Sequence, residues 1–121
     1  PWIALNPNYP VINASEQVGD PTSIFSYFRA LIRLRHHLPV IADGRFERID
    51  AGCREIFAFR RTLGERELIV ISNLSSHDAQ PVLPSDISEA ASEFVPVLTN
   101  ANIWEEMDAP LAPWRARVFL A

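Results

Sequence analysis

The chain has 121 residues, 48% of them apolar and 21% charged, the balance of a packed core rather than a disordered tract. Its net charge of −4, with eleven scattered arginines and no lysine, argues against a nucleic-acid partner, whose phosphates need clustered cations. A single cysteine, Cys53, excludes an internal disulfide and a cysteine-based zinc site, and no apolar run reaches the ~20 residues that span a bilayer.

This length suits one ordinary domain, or a small domain carrying a piece of another. The chain opens on Pro1 rather than Met, and no signal-peptide pattern follows. A fragment in a reducing, cytoplasmic setting is therefore the expectation.

Residues 1–19 carry prolines at 1, 7 and 10 and asparagines at 6, 8 and 13, a pattern that predicts an ordered, irregular loop. The pattern then changes. Asp20 is placed to cap a helix and Pro21 to occupy its first position, where no N–H is needed. From Pro21 to about Leu38, Ile24, Phe25, Phe28, Leu31, Ile32, Leu34 and Leu38 recur at helical spacing. Arg33, Arg35, His36 and His37 lie in the last turns, where cations complement the helix dipole, and Pro39 opposes continuation.

Beyond residue 41 the period falls to two. Strands are expected over 45–49, 55–62, 67–73, 79–83, 94–98 and 115–120, rich in Ile, Val and Phe. In the second of these, Phe57 and Phe59 share one face while Ile56, Ala58 and Arg60 share the other. Leu63-Gly64-Glu65-Arg66 reads as a hairpin loop in which Gly64 is free to take positive φ. Residues 84–91 are either helical or irregular. The predicted fold is mainly β, an antiparallel Greek-key sandwich over 41–121 preceded by one helix. Each large side chain on that helix would contribute ~1.5–3 kcal/mol if fully buried. So broad an apolar stripe ahead of an all-β unit points to a partner layer upstream.

Several blocks carry a family likeness. They are Pro1-Trp2-Ile3, Asn6-Pro7-Asn8-Tyr9, Ile12-Asn13, Gln17, Asp20-Pro21, Ser23-Ile24, Tyr27-Phe28-Arg29 and Leu31-Ile32-x-Leu34-Arg35. In order and spacing they resemble the segment that closes the catalytic barrel in oligo-1,6-glucosidases and related alpha-glucosidases of the alpha-amylase family, glycoside hydrolase family 13. The runs from Arg54 to Gly64 and from Leu68 to Ser75 resemble the first strands of that family's C-terminal β domain. Leu111-x-Pro113-Trp114-x-Ala116 resembles its last strand, where the family more often has Tyr at position 114.

The resemblance implies a division of the chain. Residues 1–40 would be the final loop and helix of a (β/α)₈ barrel, and 41–121 the C-terminal β domain. It also implies a retaining parent enzyme that uses an Asp nucleophile, a Glu acid/base and a second, supporting Asp, all on earlier barrel strands. None of those positions falls in this chain, so no catalytic residue is assigned, and the chain alone should be inactive. No cofactor or metal is expected. The implied partners are the upstream barrel and an α-glucan or oligosaccharide substrate, with a homodimer through the helix if that barrel is missing.

The remaining candidates read blandly. Glu105, Glu106 and Asp108 could be catalytic carboxylates but suit a solvated loop better. His36 and His37 diverge by about 100° on a helix and make a poor metal pair. His77 sits in a turn without an evident partner, and nothing around Cys53 argues for a depressed pKa. Among Trp2, Tyr9, Trp104 and Trp114, packing is the ordinary role. Trp104, beside the acidic loop, and Trp2 remain as sugar-contact candidates. Two functions compete on this evidence: a scaffold domain that stabilises a sugar-cleaving barrel, and a carbohydrate-binding module that uses surface aromatics.

Overall fold

The computed structural model describes residues 2–101 and 103–121. Most of the opening segment is irregular, as its prolines dictate, with one exception. Ala14–Val18 forms a short helix, α1, because the Asn13 side chain accepts the Glu16 N–H at 3.0 Å.

The main helix, α2, spans Ile24–His37. It begins three residues later than the proline pattern predicts. Ser23 is its cap, with extended backbone and an Oγ that accepts the Ser26 N–H at 3.2 Å. Asp20 is occupied elsewhere: its carboxylate accepts the Thr22 N–H at 2.8 Å and the Thr22 hydroxyl at 2.7 Å. Those two bonds, the hydroxyl first, hold its carboxyl below the ordinary range. At the other end, His37 Nδ1 donates to the Arg33 carbonyl at 2.8 Å, which accords with a last-turn role. Leu38 is extended ahead of Pro39, and Pro39 then opens a further short helix, α3, over Pro39–Asp43. One proline both ends a helix and starts the next.

Five strands follow: β1 (Arg45–Ile49), β2 (Ile56–Leu63), β3 (Arg66–Asn73), β4 (Val95–Thr99) and β5 (Ala116–Leu120). They form one antiparallel sheet in the order β1-β2-β3-β5-β4. The β2–β3 turn pairs Leu63 with Arg66 across Gly64, which has φ of 61°.

The expected strand at 79–83 is reduced to a single antiparallel bridge, with Ala79 and Leu111 exchanging backbone bonds of 3.0 and 2.8 Å. Pro81 and Pro84 carry no N–H and cannot extend a ladder there. The ambiguous stretch after it contains a helical turn, α4 (Ser85–Glu89), and a 3₁₀ turn over Ala91–Glu93.

Alternation gives the sheet two unlike faces. On one, Ile49, Ile56, Ala58, Ile69, Ile71 and Phe119 form the core with Ala51, Ala79, Ile87, Met107 and Leu111. The covering layer of the expected sandwich is thus made of the Ala79–Leu111 bridge, α4 and connecting loops. The opposite face carries Phe46, Phe57, Phe59, Leu68, Val70 and Val118, in line with the predicted split of β2. Over it lie α3 and the Tyr27, Leu31 and Leu34 side of α2, with a solvent-open groove of about 500 Å³ between helix and sheet.

Candidate functional site

Three polar residues facing the first core organise what surrounds it. Arg117, on β5, is 3% exposed. Its Nη1 donates to the carbonyls of Glu106 at 2.9 Å and Ala109 at 2.7 Å, and its Nη2 to that of Pro110 at 2.7 Å. Nη2 also pairs with the Glu105 carboxylate. The planar fork of a guanidinium suits such a fan of acceptors, and the ion pair offsets much of the cost of its burial. Glu105 is therefore committed to holding its own loop. Glu106 and Asp108 remain on the exposed rim.

Asn73 plays the corresponding part at the end of β3. Its Nδ2 lies 2.8 Å from the His77 carbonyl and 2.9 Å from that of Leu111, and its Oδ1 accepts the Ser75 N–H and hydroxyl. Arg60, half-buried, bonds Glu47 of β1 and Asp86 of α4, the latter at 2.8 Å. Hydrogen bonding to Glu47, then to Asp86, raises the guanidinium pKa. None of these roles stands out in the sequence as a site. The available signal is a polar residue at a core-facing position of an otherwise apolar alternation.

The other charged candidates are brought together little. His77 Nε2 stands 3.7 Å from Glu55 Oε1, so this histidine does have a surface partner. The Cys53 thiol lies 3.7 Å from the Gln80 carbonyl. Among the described residues, no cluster of three or more His, Cys, Asp or Glu side chains could hold a metal ion.

The tryptophans separate. Trp2 is 94% exposed. Trp114 is also exposed and takes a φ of 60°, in the left-handed region, fixed by an Asn100 Nδ2 bond to its carbonyl at 2.8 Å. Trp104 is 57% exposed at the mouth of a cleft of about 370 Å³. Phe94, Met107 and Phe119 lie within that cleft, with Ser88, Ser92, Glu106 and Asp108 around it. Of the two sugar-contact candidates, Trp104 lines this cleft and Trp2 is not among its described lining residues.

The second feature of note is α2 itself. While Tyr27, Leu31 and Leu34 face the sheet, Ile24, Phe28 and Ile32 form an i, i+4, i+8 stripe that is 70%, 59% and 54% exposed. Ile3, Leu5, Val11, Ile12 and Val18, from the segment before the helix, are exposed as well. So many large apolar groups on one short stretch mark a surface built for contact.

The described residues thus form a mainly-β unit that follows a helix with two apolar sides. Comparison with known proteins names the enzyme class. The chain is 37% identical over 120 residues to an oligo-1,6-glucosidase of Parageobacillus thermoglucosidasius, covering 98% of the chain and 21% of that protein. It is 34% identical over 119 residues to an oligo-1,6-glucosidase of Bacillus cereus, with the same two coverages. A solved trehalose-6-phosphate hydrolase of Bacillus licheniformis matches 99% of the chain and 22% of its own at a TM-score of 0.84 and 28% identity. No family model matches the chain. The chain belongs to the oligo-1,6-glucosidase-like group of glycoside hydrolase family 13, and it spans about a fifth of the length of these relatives.

Proposed function

We propose that the chain is the non-catalytic C-terminal part of an α-glucosidase-type glycoside hydrolase. In this reading residues 1–40 are the closing loop and last helix of the catalytic barrel, and 41–121 are the β domain that packs on it. The observation that carries the reading is the double-sided helix α2: one apolar side faces the sheet, and the Ile24/Phe28/Ile32 stripe is more than half exposed. A last barrel helix needs both faces covered, one by its neighbouring helices and strands and one by the domain that follows. The β domain then stabilises the barrel by covering apolar surface, while the acid–base and nucleophilic carboxylates act on α-glucosidic bonds from the barrel.

Two outcomes follow. The purified chain should hydrolyse neither isomaltose nor maltose, and robust turnover by it would overturn the reading. In the longer protein, Phe28→Asp should lower the melting temperature and the yield of active enzyme together, whereas an unchanged enzyme would show that the stripe faces solvent. Detached from a barrel, the same stripe offers α2 of one copy to α2 of another. Light scattering on the isolated chain should then report a dimer that Phe28→Asp converts to monomer.

A further inference from the structure

We propose that the cleft beneath Trp104 binds neutral saccharides. Its shape is that of a small-molecule site: about 370 Å³ of space, with apolar groups inside and a few polar groups at the rim. Buried Met107 and Phe119 floor it, Phe94 lines it, and Trp104 presents its indole at the mouth. The C–H face of a pyranose ring is apolar and flat, and an exposed indole offers a matching surface together with one N–H donor.

Rim chemistry narrows the ligand. Ser88, whose hydroxyl already donates to the Pro84 carbonyl, can accept, Ser92 can donate or accept, and Glu106 and Asp108 only accept, which suits a ligand rich in hydroxyl donors. Among the described residues, no Arg or His lines the cleft. The Glu105 charge is offset by Arg117, whereas among the described residues Glu106 and Asp108, both exposed, make no ion pair. A phosphorylated sugar would meet two carboxylates and no cation, so the site should reject it.

The wall is also held in place before any ligand arrives. Arg117 grips the Glu105–Pro110 loop through three carbonyls and one carboxylate, and Gln80 Nε2 donates to the Asp108 carbonyl at 2.6 Å. Such preorganisation lowers the ordering cost of binding. The choice of saccharide over another hydroxyl-rich ligand rests on the family membership. The cleft and its charge do not.

The test is a ¹H–¹⁵N NMR titration of the full 121-residue chain. The probes are isomaltose, maltotriose, glucose 6-phosphate as the anionic sugar, and tetramethylammonium as a cation. Saturable shifts are expected with the two neutral sugars at the Trp104 indole N–H and at the amides of residues 88–92 and 106–108. Trp104→Ala should weaken binding by about tenfold or more, and Trp104→Phe by less. The double variant Glu106→Lys/Asp108→Lys should admit glucose 6-phosphate. The proposal is overturned by no saturable response to either neutral sugar, or by shifts confined to other surfaces. It is equally overturned if Trp104→Ala binds unchanged, if glucose 6-phosphate binds the native chain as tightly, or if only tetramethylammonium binds. Should Trp104→Ala fail to fold, the charge variant decides, and its failure to gain phosphosugar binding overturns the proposal. This readout is independent of glucosidase activity, so it can fail while the scaffold reading stands, and the reverse.

Discussion

The two faces of the sheet are made of similar residues and finished to different degrees. Under the loop layer, Ala58, Ile69, Ile71 and Leu111 are fully buried, and Arg117 and Asn73 bond the surrounding loop carbonyls, with only the Arg117 Nε left without a partner among the described residues. Under α2, a solvent-open groove of about 500 Å³ remains, and Phe46 at the margin is 52% exposed. A groove of that size between helix and sheet marks a contact that is not tight. The difference teaches which part of the chain stands by itself. The first core is largely buried within the chain, whereas α2 keeps an exposed apolar stripe, which on the proposed reading is covered in the longer protein.

Truncations on the two faces should sharpen that contrast most. Ile71→Ala removes a buried side chain from the closed core and should cost about 2–5 kcal/mol in chemical denaturation. Val70→Ala, one residue along on the α2 side, should cost less than about 1.5 kcal/mol, since its neighbours already leave space. Equal losses would break the comparison.

Arg117→Met comes next, with an expected loss of about 3 kcal/mol. It leaves three loop carbonyls without their donor and Glu105 without its partner. The melting temperature should fall, and limited proteolysis should cut first within 105–110. A change without either effect would mean the loop is held by other means. Asn73→Asp should cost about 2 kcal/mol in the same assay, because a carboxylate would face the His77 and Leu111 carbonyls that now receive N–H groups.

The smallest effect is electrostatic. Hydrogen bonds from Arg60, and then its charge, hold Glu47 below its ordinary 4.5. The folded chain thus binds that proton more weakly than the unfolded chain does. The stabilisation is complete above about pH 4.5 and is lost as the pH falls through the lower folded value. Arg60→Gln should flatten that limb of the melting-temperature profile, and an unaltered limb would assign the acid sensitivity elsewhere.

Much of this was legible in the sequence because it depends on local pattern. β1 runs over Arg45–Ile49, as its alternation predicts, and the opposed sides of β2 follow from period two alone. The family likeness needed only the order and spacing of short blocks such as Asn6-Pro7-Asn8-Tyr9. What escaped depends on competition or on distance. Asp20 and Ser23 are both good caps, and Asp20 was drawn away by Thr22. Ala79–Leu83 has strand-like residues, but Pro81 and Pro84 deny it a ladder. Arg117 looks like any strand arginine until the loop eight and eleven residues before it folds over the sheet. For the candidate cleft, the sequence could nominate Trp104 by its acidic neighbours but could not bring Phe94 and Phe119 beneath it.

The measurement that bears most directly on α2 as a joint is amide hydrogen exchange, on the 121-residue chain alone and on a longer protein that includes the barrel. Strands β2, β3 and β5 should exchange slowly in both. Residues 24–37 should exchange within the fast, locally opening class in the chain alone and become protected when the barrel is present. Helix amides as well protected alone as in the longer protein would contradict the account, because α2 would then need no partner beyond the sheet.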